Sequence, residues 1–254
     1  MSQRRILFGF HAVGVRLKVA PASIVELLID PARRDGRMRQ FLARAQTAGV
    51  PIQEADAARL TQLSGGPGHQ GIVARVAPLP AQPTLTELLE DLEDTGTAPL
   101  LLALDGVTDP HNLGACLRVA DGAGAQAVVA PRDHAASVNA TVAKVASGAA
   151  ESVPYFMVTN LARCLTDLKA RGIRVIGAAG EADHSIYQAD LRGPVALVLG
   201  AEGPGLRQLT RKTCDELVRI PMRGAVESLN VSVASGVCLY EALRQRLDAS
   251  AGKL

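Results

Sequence analysis

The chain has 254 residues, of which 48% are hydrophobic, and a formal net charge of +2. This apolar content suffices for one large core or two modest ones, so the composition excludes a disordered chain and favours a soluble globular protein. No apolar run reaches the ~20 residues that a membrane-spanning helix needs. Arg4 and Arg5 precede an apolar run from Ile6 to Val15, as in a signal peptide. Because His11 interrupts that run, we expect the segment to belong to a folded domain.

Aromatic and cysteine content exclude two further kinds of site. Aromatic residues make up 3% of the chain and tryptophan is absent, so a nucleic-acid site built mainly from stacked rings is excluded and charge must contribute more. The four cysteines have neither CxxC nor Cys/His ligand spacing, which argues against a metal site and fits a reducing, cytoplasmic compartment. We expect free thiols, mostly buried, at Cys116, Cys164, Cys214 and Cys238.

Residues 1–76 are predicted to form a small mixed α/β domain. Helical patterns cover Ile24–Leu28 and Arg37–Ala48, and Gly71–Val76 is a candidate strand. This segment holds eleven Lys/Arg and five Asp/Glu, whereas residues 77–254 hold sixteen and twenty. The basic excess is typical of a surface that faces phosphate groups, although a solvated arginine-rich helix would have the same pattern. The arginines in question are Arg33, Arg34, Arg37, Arg39 and Arg44.

Residues 77–98 are predicted to be a proline-rich linker with one short helix. Thr84 and Glu87 have the spacing of a capping box, and an acidic helical pattern follows through Asp94. The segment carries five acidic residues and no basic ones. It is therefore a poor surface for RNA and a good boundary between domains.

From Pro99 onwards, strand and helix patterns alternate, which indicates a parallel sheet covered on both faces. Strands are predicted near 100–104, 126–130, 153–158, 173–178, 195–199 and 217–220, and helices near 113–122, 139–147, 161–171 and 231–247. The sequence from Gly122 to Ala127 imitates a dinucleotide-binding fingerprint. That fingerprint needs a strand before it and a helix after it, whereas here the order is reversed, so we exclude this role.

Three strand ends are followed by loops rich in glycine, proline and polar residues. They read DGVTDPHNLGACLR from Asp105, LGAEGPGL from Leu199 and IPMRGAVESLNVSVA from Ile220. In this order and near this spacing they resemble the three motifs of the SpoU/TrmH family of RNA ribose 2′-O-methyltransferases, in the SPOUT superfamily. Further segments extend the resemblance over almost the whole chain, namely GFHAV, HQGIVARV, KVASGAAESVP and AGEADHSIY.

The resemblance implies a fold that periodicity does not. Members of this family have an α/β domain, here residues 99–254, whose C-terminal segment forms a trefoil knot, an exception to the rule that chains do not thread loops. They work as homodimers, and the N-terminal domain is similar to ribosomal protein L30e. In such dimers the first motif of one subunit approaches the cofactor of the other.

The resemblance also implies a function. We expect S-adenosylmethionine to be the cofactor, no metal to be required, and the substrate to be a guanosine ribose of 23S ribosomal RNA in the peptidyl-transferase P loop. Two alternatives stay open: tRNA ribose 2′-O-methylation by the same chemistry, and RNA binding by a dimer without catalysis.

Site residues carry over position by position. Gly200, Ile220 and Leu229 are expected to bind the cofactor, largely through backbone groups. The expected catalytic positions are Asn112, Arg118, Glu202, Ser228 and Asn230. A charged guanidinium has no lone pair, so we assign Arg118 as a clamp on RNA phosphate and developing alkoxide rather than as a base. An alternative interpretation is that the loop holding Ser228 and Asn230 has only a structural role, as an ordinary strand-to-helix connection with an N-capping side chain.

Overall fold

The computed structural model describes residues 5–78, 83–201 and 203–251, with the side chains of the last two left out. The chain divides into two compact units, Met1–Gln82 and Pro83–Leu254. Each unit has a core of its own and is described separately.

The first unit has a four-stranded sheet in the order β1-β4-β2-β3, in which only β2 and β3 pair in parallel. Its elements are β1 (Arg5–Phe8), α1 (Phe10–Val19), β2 (Ile24–Ile29), α2 (Gly36–Thr47), β3 (Ile52–Glu54), α3 (Ala57–Ser64) and β4 (Ile72–Val76). The predicted helix at Arg37–Ala48 and the predicted strand at Gly71–Val76 are confirmed as α2 and β4.

The prediction of a helical pattern at Ile24–Leu28 is wrong, because this segment is strand β2. Leu27 packs into the main core of the unit, while its neighbour Leu28 packs into a smaller cluster on the other face of the sheet. A strand buried on both faces loses the strict alternation of apolar and polar residues. In a run of six residues its pattern cannot be distinguished from that of a buried helix.

The second unit alternates strands and helices. It contains α4 (Leu85–Asp94), β5 (Leu100–Asp105), α5 (Pro110–Ala123), β6 (Ala127–Pro131), α6 (Ala140–Ala146), α7 (Ala149–Ser152), β7 (Tyr155–Val158), α8 (Leu161–Ala170), β8 (Arg174–Ala178), β9 (His184–Ser185), β10 (Val195–Gly200), α9 (Gln208–Thr213), β11 (Glu216–Arg219) and α10 (Val231–Ala251). All six predicted strands and all four predicted helices are present. The short elements β9, α7 and α9 were not predicted.

Every strand pair of this unit is parallel, and the order is β7-β6-β5-β10-β8-β11-β9. Alternate residues of the central strand β5 enter two different clusters: Leu102 and Leu104 pack with α5 and α10, whereas Leu101 and Ala103 pack with α8. The predicted parallel sheet with both faces covered is therefore confirmed.

The short acidic helix α4 has the predicted capping box, since Thr84 and Glu87 bond reciprocally. Leu89 is buried against the α8 side of the sheet, so this helix belongs to the second unit.

Helix α10 buries a different face from the one that its apolar periodicity suggests. Its core contacts come from Val231, Cys238, Leu239 and Ala242. Five other apolar residues recur at helical spacing along α10: Val233, Tyr240 and Leu247 are 52%, 51% and 58% exposed, and Val237 and Leu243 are half-buried. We call these five residues the α10 stripe. The periodic pattern identified the helix correctly, but the stripe faces away from the core of its own chain.

Candidate active site

A cavity of about 280 Å³ lies at the carboxyl ends of β8, β10 and β11. In a parallel sheet this edge is where ligands bind. Most of its wall is backbone or apolar side chain, with few charged groups. The lining residues include Ala178–Glu181, Gly200, Arg211, Ile220, Ser228 and Leu229.

The glycine-rich loop after β10 folds back on itself so closely that Gly200 has no room for a side chain. A Cβ there would lie 2.0 Å from the carbonyl carbon of Gly205. Ala201 and Gly205 form a backbone bridge, and Gly203 and Gly205 have φ of 85° and 66°, which favour glycine. The glycines therefore bring backbone groups, rather than side chains, to the cavity wall.

Asp105 holds both ends of this loop, a role that the sequence analysis missed. Its backbone oxygen accepts from the Ala201 N–H at 3.0 Å, and its Oδ2 accepts from the Arg207 N–H at 2.8 Å. The carboxylate is fully buried, and Oδ1 has no hydrogen bond with the described residues; the Arg207 guanidinium lies 3.5 Å away. A buried carboxylate of this kind fixes the path of the loop.

The structure brings the three predicted cofactor residues together. Gly200, Ile220 and Leu229 come from two separate loops, and all three line the cavity. Ser228 lines it as well, and its side chain is exposed. Glu202 lies outside the described residues.

Asn112 and Asn230 meet although they are far apart in the chain. The Asn230 amide donates to Oδ1 of Asn112 at 2.9 Å. Oδ1 of Asn230 accepts from the Ser232 N–H at 2.9 Å, which caps the start of α10. The N-capping interpretation of this residue is therefore correct, and the bond to Asn112 is additional to it. Neither asparagine lines the cavity.

Arg118 is not among the residues that line the cavity. It lies six residues after Asn112 on α5, which corresponds to about 240° around the helix axis. Its side chain is exposed, makes no hydrogen bond or ion pair with the described residues, and does not line the cavity. His111 is also exposed, in the first turn of α5.

The arginines of the first unit do not form one uniform surface. Arg33 is engaged within the unit: it donates to Gln70 O and Asp35, both at 2.6 Å, and stacks on Phe10. Arg37 covers the same ring at 4.3 Å. Arg39 lies two residues further along α2 and hence on another side of the helix. Arg34 is exposed and precedes the helix.

The cysteines are free, and two of them, Cys116 and Cys238, are buried while Cys164 and Cys214 are half-buried. Burial raises the pKa of Cys116 to about 11 and that of Cys238 to about 12, so both thiols stay protonated at neutral pH. Within residues 5–78, 83–201 and 203–251, no three His, Cys, Asp or Glu side chains are grouped to hold a metal ion. The helices of this described part include none long and apolar enough to span a membrane.

Comparison with known proteins finds similarity along nearly the whole chain. Residues 6–82 match a family model described as RNA 2′-O ribose methyltransferase substrate binding. The protein called 23S rRNA (guanosine-2′-O-)-methyltransferase RlmB in Ralstonia nicotianae is 59% identical over 97% of this chain and 98% of its own length. The protein of that name in Vibrio vulnificus is 53% identical over 95% and 97%.

Solved structures agree with the sequence relatives. A crystal structure of an RNA 2′-O ribose methyltransferase has a TM-score of 0.74 and 28% identity, covering 97% of this chain and 90% of that one. The SpoU methyltransferase AviRb from Streptomyces viridochromogenes, in complex with AdoMet, has a TM-score of 0.70 and 25% identity over 96% and 91%. Residues 99–240 match the model of the SpoU rRNA Methylase family. The chain belongs to the SpoU rRNA methylase family.

Proposed function

We propose that this protein transfers a methyl group from S-adenosylmethionine to the ribose 2′-hydroxyl of a guanosine in 23S ribosomal RNA. The observation that carries this proposal is that curated relatives 51–59% identical to the chain, over 95–97% of it, have that activity in their names. We place the target in the peptidyl-transferase P loop and the enzyme in the cytoplasm.

Methylation of tRNA is the less favoured alternative. A TrmH/SpoU tRNA modifying enzyme of A. aeolicus and a structure described by 2-OH methylation of C/U34 on tRNA are similar to this chain, with TM-scores of 0.56 and 0.54. They cover only 65% and 59% of it. The relatives named for 23S rRNA span both units, as does the AdoMet complex of AviRb.

The cavity fits an adenosine-sized cofactor. Backbone groups around Gly200 supply donors and acceptors, and Ile220 and Leu229 supply apolar walls for the rings. The fold of the glycine-rich loop leaves its backbone exposed to the cavity because no side chain fits at Gly200. Bound S-adenosylmethionine supplies an activated methyl group, so the chain itself needs no metal for the transfer.

The polar side chains then have to position the RNA and stabilise charge. We assign the linked pair Asn112 and Asn230, with Ser228 and Glu202, to orienting the target ribose and the surrounding loops. Arg118 holds the RNA phosphate beside the target and stabilises negative charge that develops on the 2′-oxygen. The phosphate accepts the hydroxyl proton, because a charged guanidinium cannot.

We propose that the active site is built from two chains. Arg118 does not line the cavity of its own chain, yet it lies exposed on α5 near the α10 stripe. The two helices are in close contact there, since a Cβ on Gly122 would lie 2.8 Å from the Tyr240 hydroxyl. An apolar stripe beside a solvent-facing arginine suits a homodimer contact that delivers Arg118 to the cavity of the partner subunit.

Two features of the fold belong to the same proposal. We propose that the chain forms the trefoil knot of this family around the loops that follow β10 and β11, because described residues of both loops line one cavity and the second loop leads into α10, one face of which is buried. We also propose that residues 1–76 form an L30e-like domain that binds the RNA. Its support is the match of residues 6–82 to a substrate-binding model and the exposed arginines of α2.

The reaction is tested by incubating undermethylated 23S rRNA with the protein and S-adenosylmethionine in chelator, followed by nuclease digestion and mass mapping. One guanosine should gain a methyl group on its ribose. A transcript carrying a single 2′-deoxyguanosine at that position should stay unmodified, because the acceptor oxygen is missing. Methylation of the deoxy transcript at the same nucleotide would contradict ribose chemistry.

The shared site is tested by mixing two variants, Arg118→Ala and Asn230→Ala, each nearly inactive alone. If Arg118 serves the partner's cavity, both lesions of a heterodimer fall in one site and the other is intact. Random exchange makes half of the dimers hetero, so about a quarter of wild-type activity should return. Mass spectrometry verifies the heterodimer. A verified heterodimer no more active than its parents would place Arg118 in its own subunit's site.

A further inference from the structure

One wall of the cofactor cavity is formed by the loop after β8, which lies outside the three family motifs. Residues Ala178–Glu181 line the cavity there. The loop is fixed to the neighbouring strand β11: the Ala179 N–H donates to Val218 O at 2.9 Å, and Arg219 donates to Ala182 O and, at 2.8 Å, to Asp183 O. Glu181 is therefore presented by a braced backbone rather than by a loose surface loop.

Arg211 reaches the same cavity from α9 and forms an ion pair with Glu181. Their side chains are 42% and 57% exposed. An exposed pair of this kind contributes little to stability. Its stabilising effect does not explain why a cation and an anion stand together in a wall that is otherwise mostly apolar or backbone. Either side chain can therefore replace its partner by a charged group of a ligand with little loss of free energy.

The charges around the cavity are few. Among the described residues that line it, Arg211 is the one cation, and the anions are Glu181 and Glu227. The remaining polar group of note is the Ser228 hydroxyl. A ligand with both a carboxylate and an ammonium group would find one complementary partner for each at the Glu181–Arg211 pair.

We infer that Glu181 and Arg211 are the subsite for the zwitterionic amino-acid end of S-adenosylmethionine. The Arg211 guanidinium takes the α-carboxylate, to which it can donate two parallel hydrogen bonds, and the Glu181 carboxylate takes the α-ammonium. In the complex, the charges of Glu181 and Arg211 are joined by those of the α-ammonium and the α-carboxylate, and opposite charges lie next to each other. The net charge of the group stays zero. This inference rests on the proposed cofactor binding.

Titration calorimetry with three ligands tests the assignment. S-adenosylhomocysteine has the adenosine and the whole amino-acid end, its decarboxylated analogue lacks only the carboxylate, and 5′-methylthioadenosine lacks the amino-acid end altogether. Arg211→Ala should weaken S-adenosylhomocysteine about tenfold to a hundredfold, as expected for a hydrogen bond between charged groups, and leave the other two within twofold. Glu181→Gln should weaken S-adenosylhomocysteine and its decarboxylated analogue, but not 5′-methylthioadenosine.

Lys212→Ala is the matched control, because this exposed neighbour of Arg211 does not line the cavity. It should bind all ligands like the wild type, and thermal melting should show that every variant is folded. If a variant lost the same affinity for all three ligands, the inference would be overturned and the pair would be assigned to the adenosine part. Weaker binding of 5′-methylthioadenosine by the Glu181→Gln variant would have the same meaning. Unchanged binding by both variants would also overturn it. Wild-type protein that binds none of the ligands, nor S-adenosylmethionine, would instead refute the proposed function.

Discussion

Two arginines on neighbouring helices of the second unit show opposite ways of using a guanidinium. Arg246 on α10 donates to four backbone oxygens, those of Ala98, Pro99, Leu191 and Gly193, at 2.7–3.2 Å. Arg118 on α5 donates to no described residue and faces solvent. An arginine with four of its five N–H donors bonded within the chain stabilises the fold, whereas one with open donors is available to a ligand or a partner.

The largest effect is expected from Arg118→Ala. Removing a group that stabilises charge only in the transition state should lower the methylation rate about a hundredfold to a thousandfold. The melting temperature and S-adenosylhomocysteine affinity should stay unchanged, because this side chain bonds none of the described residues of its own chain. Arg118→Lys keeps the charge but loses the two-pronged geometry and should recover only part of the rate. A large fall in melting temperature for Arg118→Ala would contradict the comparison.

Arg246→Ala should act in the reverse way. It removes hydrogen bonds that join α10 to the two residues just before β5 and to the segment before β10, and it leaves backbone oxygens without their donor. We expect the free energy of unfolding to fall by roughly 2–4 kcal/mol, measured by denaturant titration, with the methylation rate of the folded protein unchanged.

Arg244→Ala is the matched control for Arg246→Ala, on the same helix and with the same helix propensity. Arg244 pairs with Glu241 and Asp248 of its own helix and is largely exposed. Because Arg244 is exposed, and buried Glu241 keeps a hydrogen bond from Gln245 when Arg244 is removed, Arg244→Ala should cost clearly less stability than Arg246→Ala. If the free energy of unfolding fell by a similar amount in the two variants, the hydrogen bonds from Arg246 to backbone oxygens would contribute no extra stability.

The sequence predicted the parallel sheet of the second unit well, because its strands are long apolar runs separated by clear turn residues. It failed at β2, where burial on both faces of a short strand imitates a helix. It also could not tell which face of α10 is buried, since an apolar stripe has the same period whether it packs on its own core or awaits a partner.

The candidate site was predicted only as far as the family motifs reach. Gly200, Ile220 and Leu229 do line one cavity. The contributions of Asp105, Glu181 and Arg211 arise from pairings between distant segments, such as the ion pair across thirty residues at Glu181 and Arg211, and nothing in local spacing signals them. The AGEADHSIY segment contains Glu181 and the first family motif begins at Asp105, so the resemblance covered both residues without giving either of them a role.

Asn230 is an intermediate case between the two arginines, since it both caps α10 and bonds Asn112. Asn230→Asp keeps an oxygen for the Ser232 N–H but lacks the amide that donates to Asn112, whereas Asn230→Ala lacks both. We expect Asn230→Ala to lose about 1 kcal/mol of unfolding free energy and Asn230→Asp less than half of that. Both should lose activity. Full activity of Asn230→Asp would show that the bond to Asn112 is not needed for catalysis.

The comparison extends to the first unit, where the expected effect is smallest. Arg39 on α2 is exposed and bonds no described residue, whereas Arg33 donates to Gln70 and Asp35. If Arg39 contacts a phosphate, Arg39→Ala should weaken 23S rRNA binding a few-fold and lower the slope of log affinity against log salt by about 0.7–0.9. Its melting curve should match that of the wild type, while Arg33→Ala should melt at a lower temperature.

Arg59→Ala is the charge-matched control, because Arg59 is exposed on α3 and bonds Gln62 within its own helix. Filter binding over a series of salt concentrations separates the outcomes, because an equal change of slope for Arg39→Ala and Arg59→Ala would mean that net charge, rather than a defined phosphate contact, accounts for the binding.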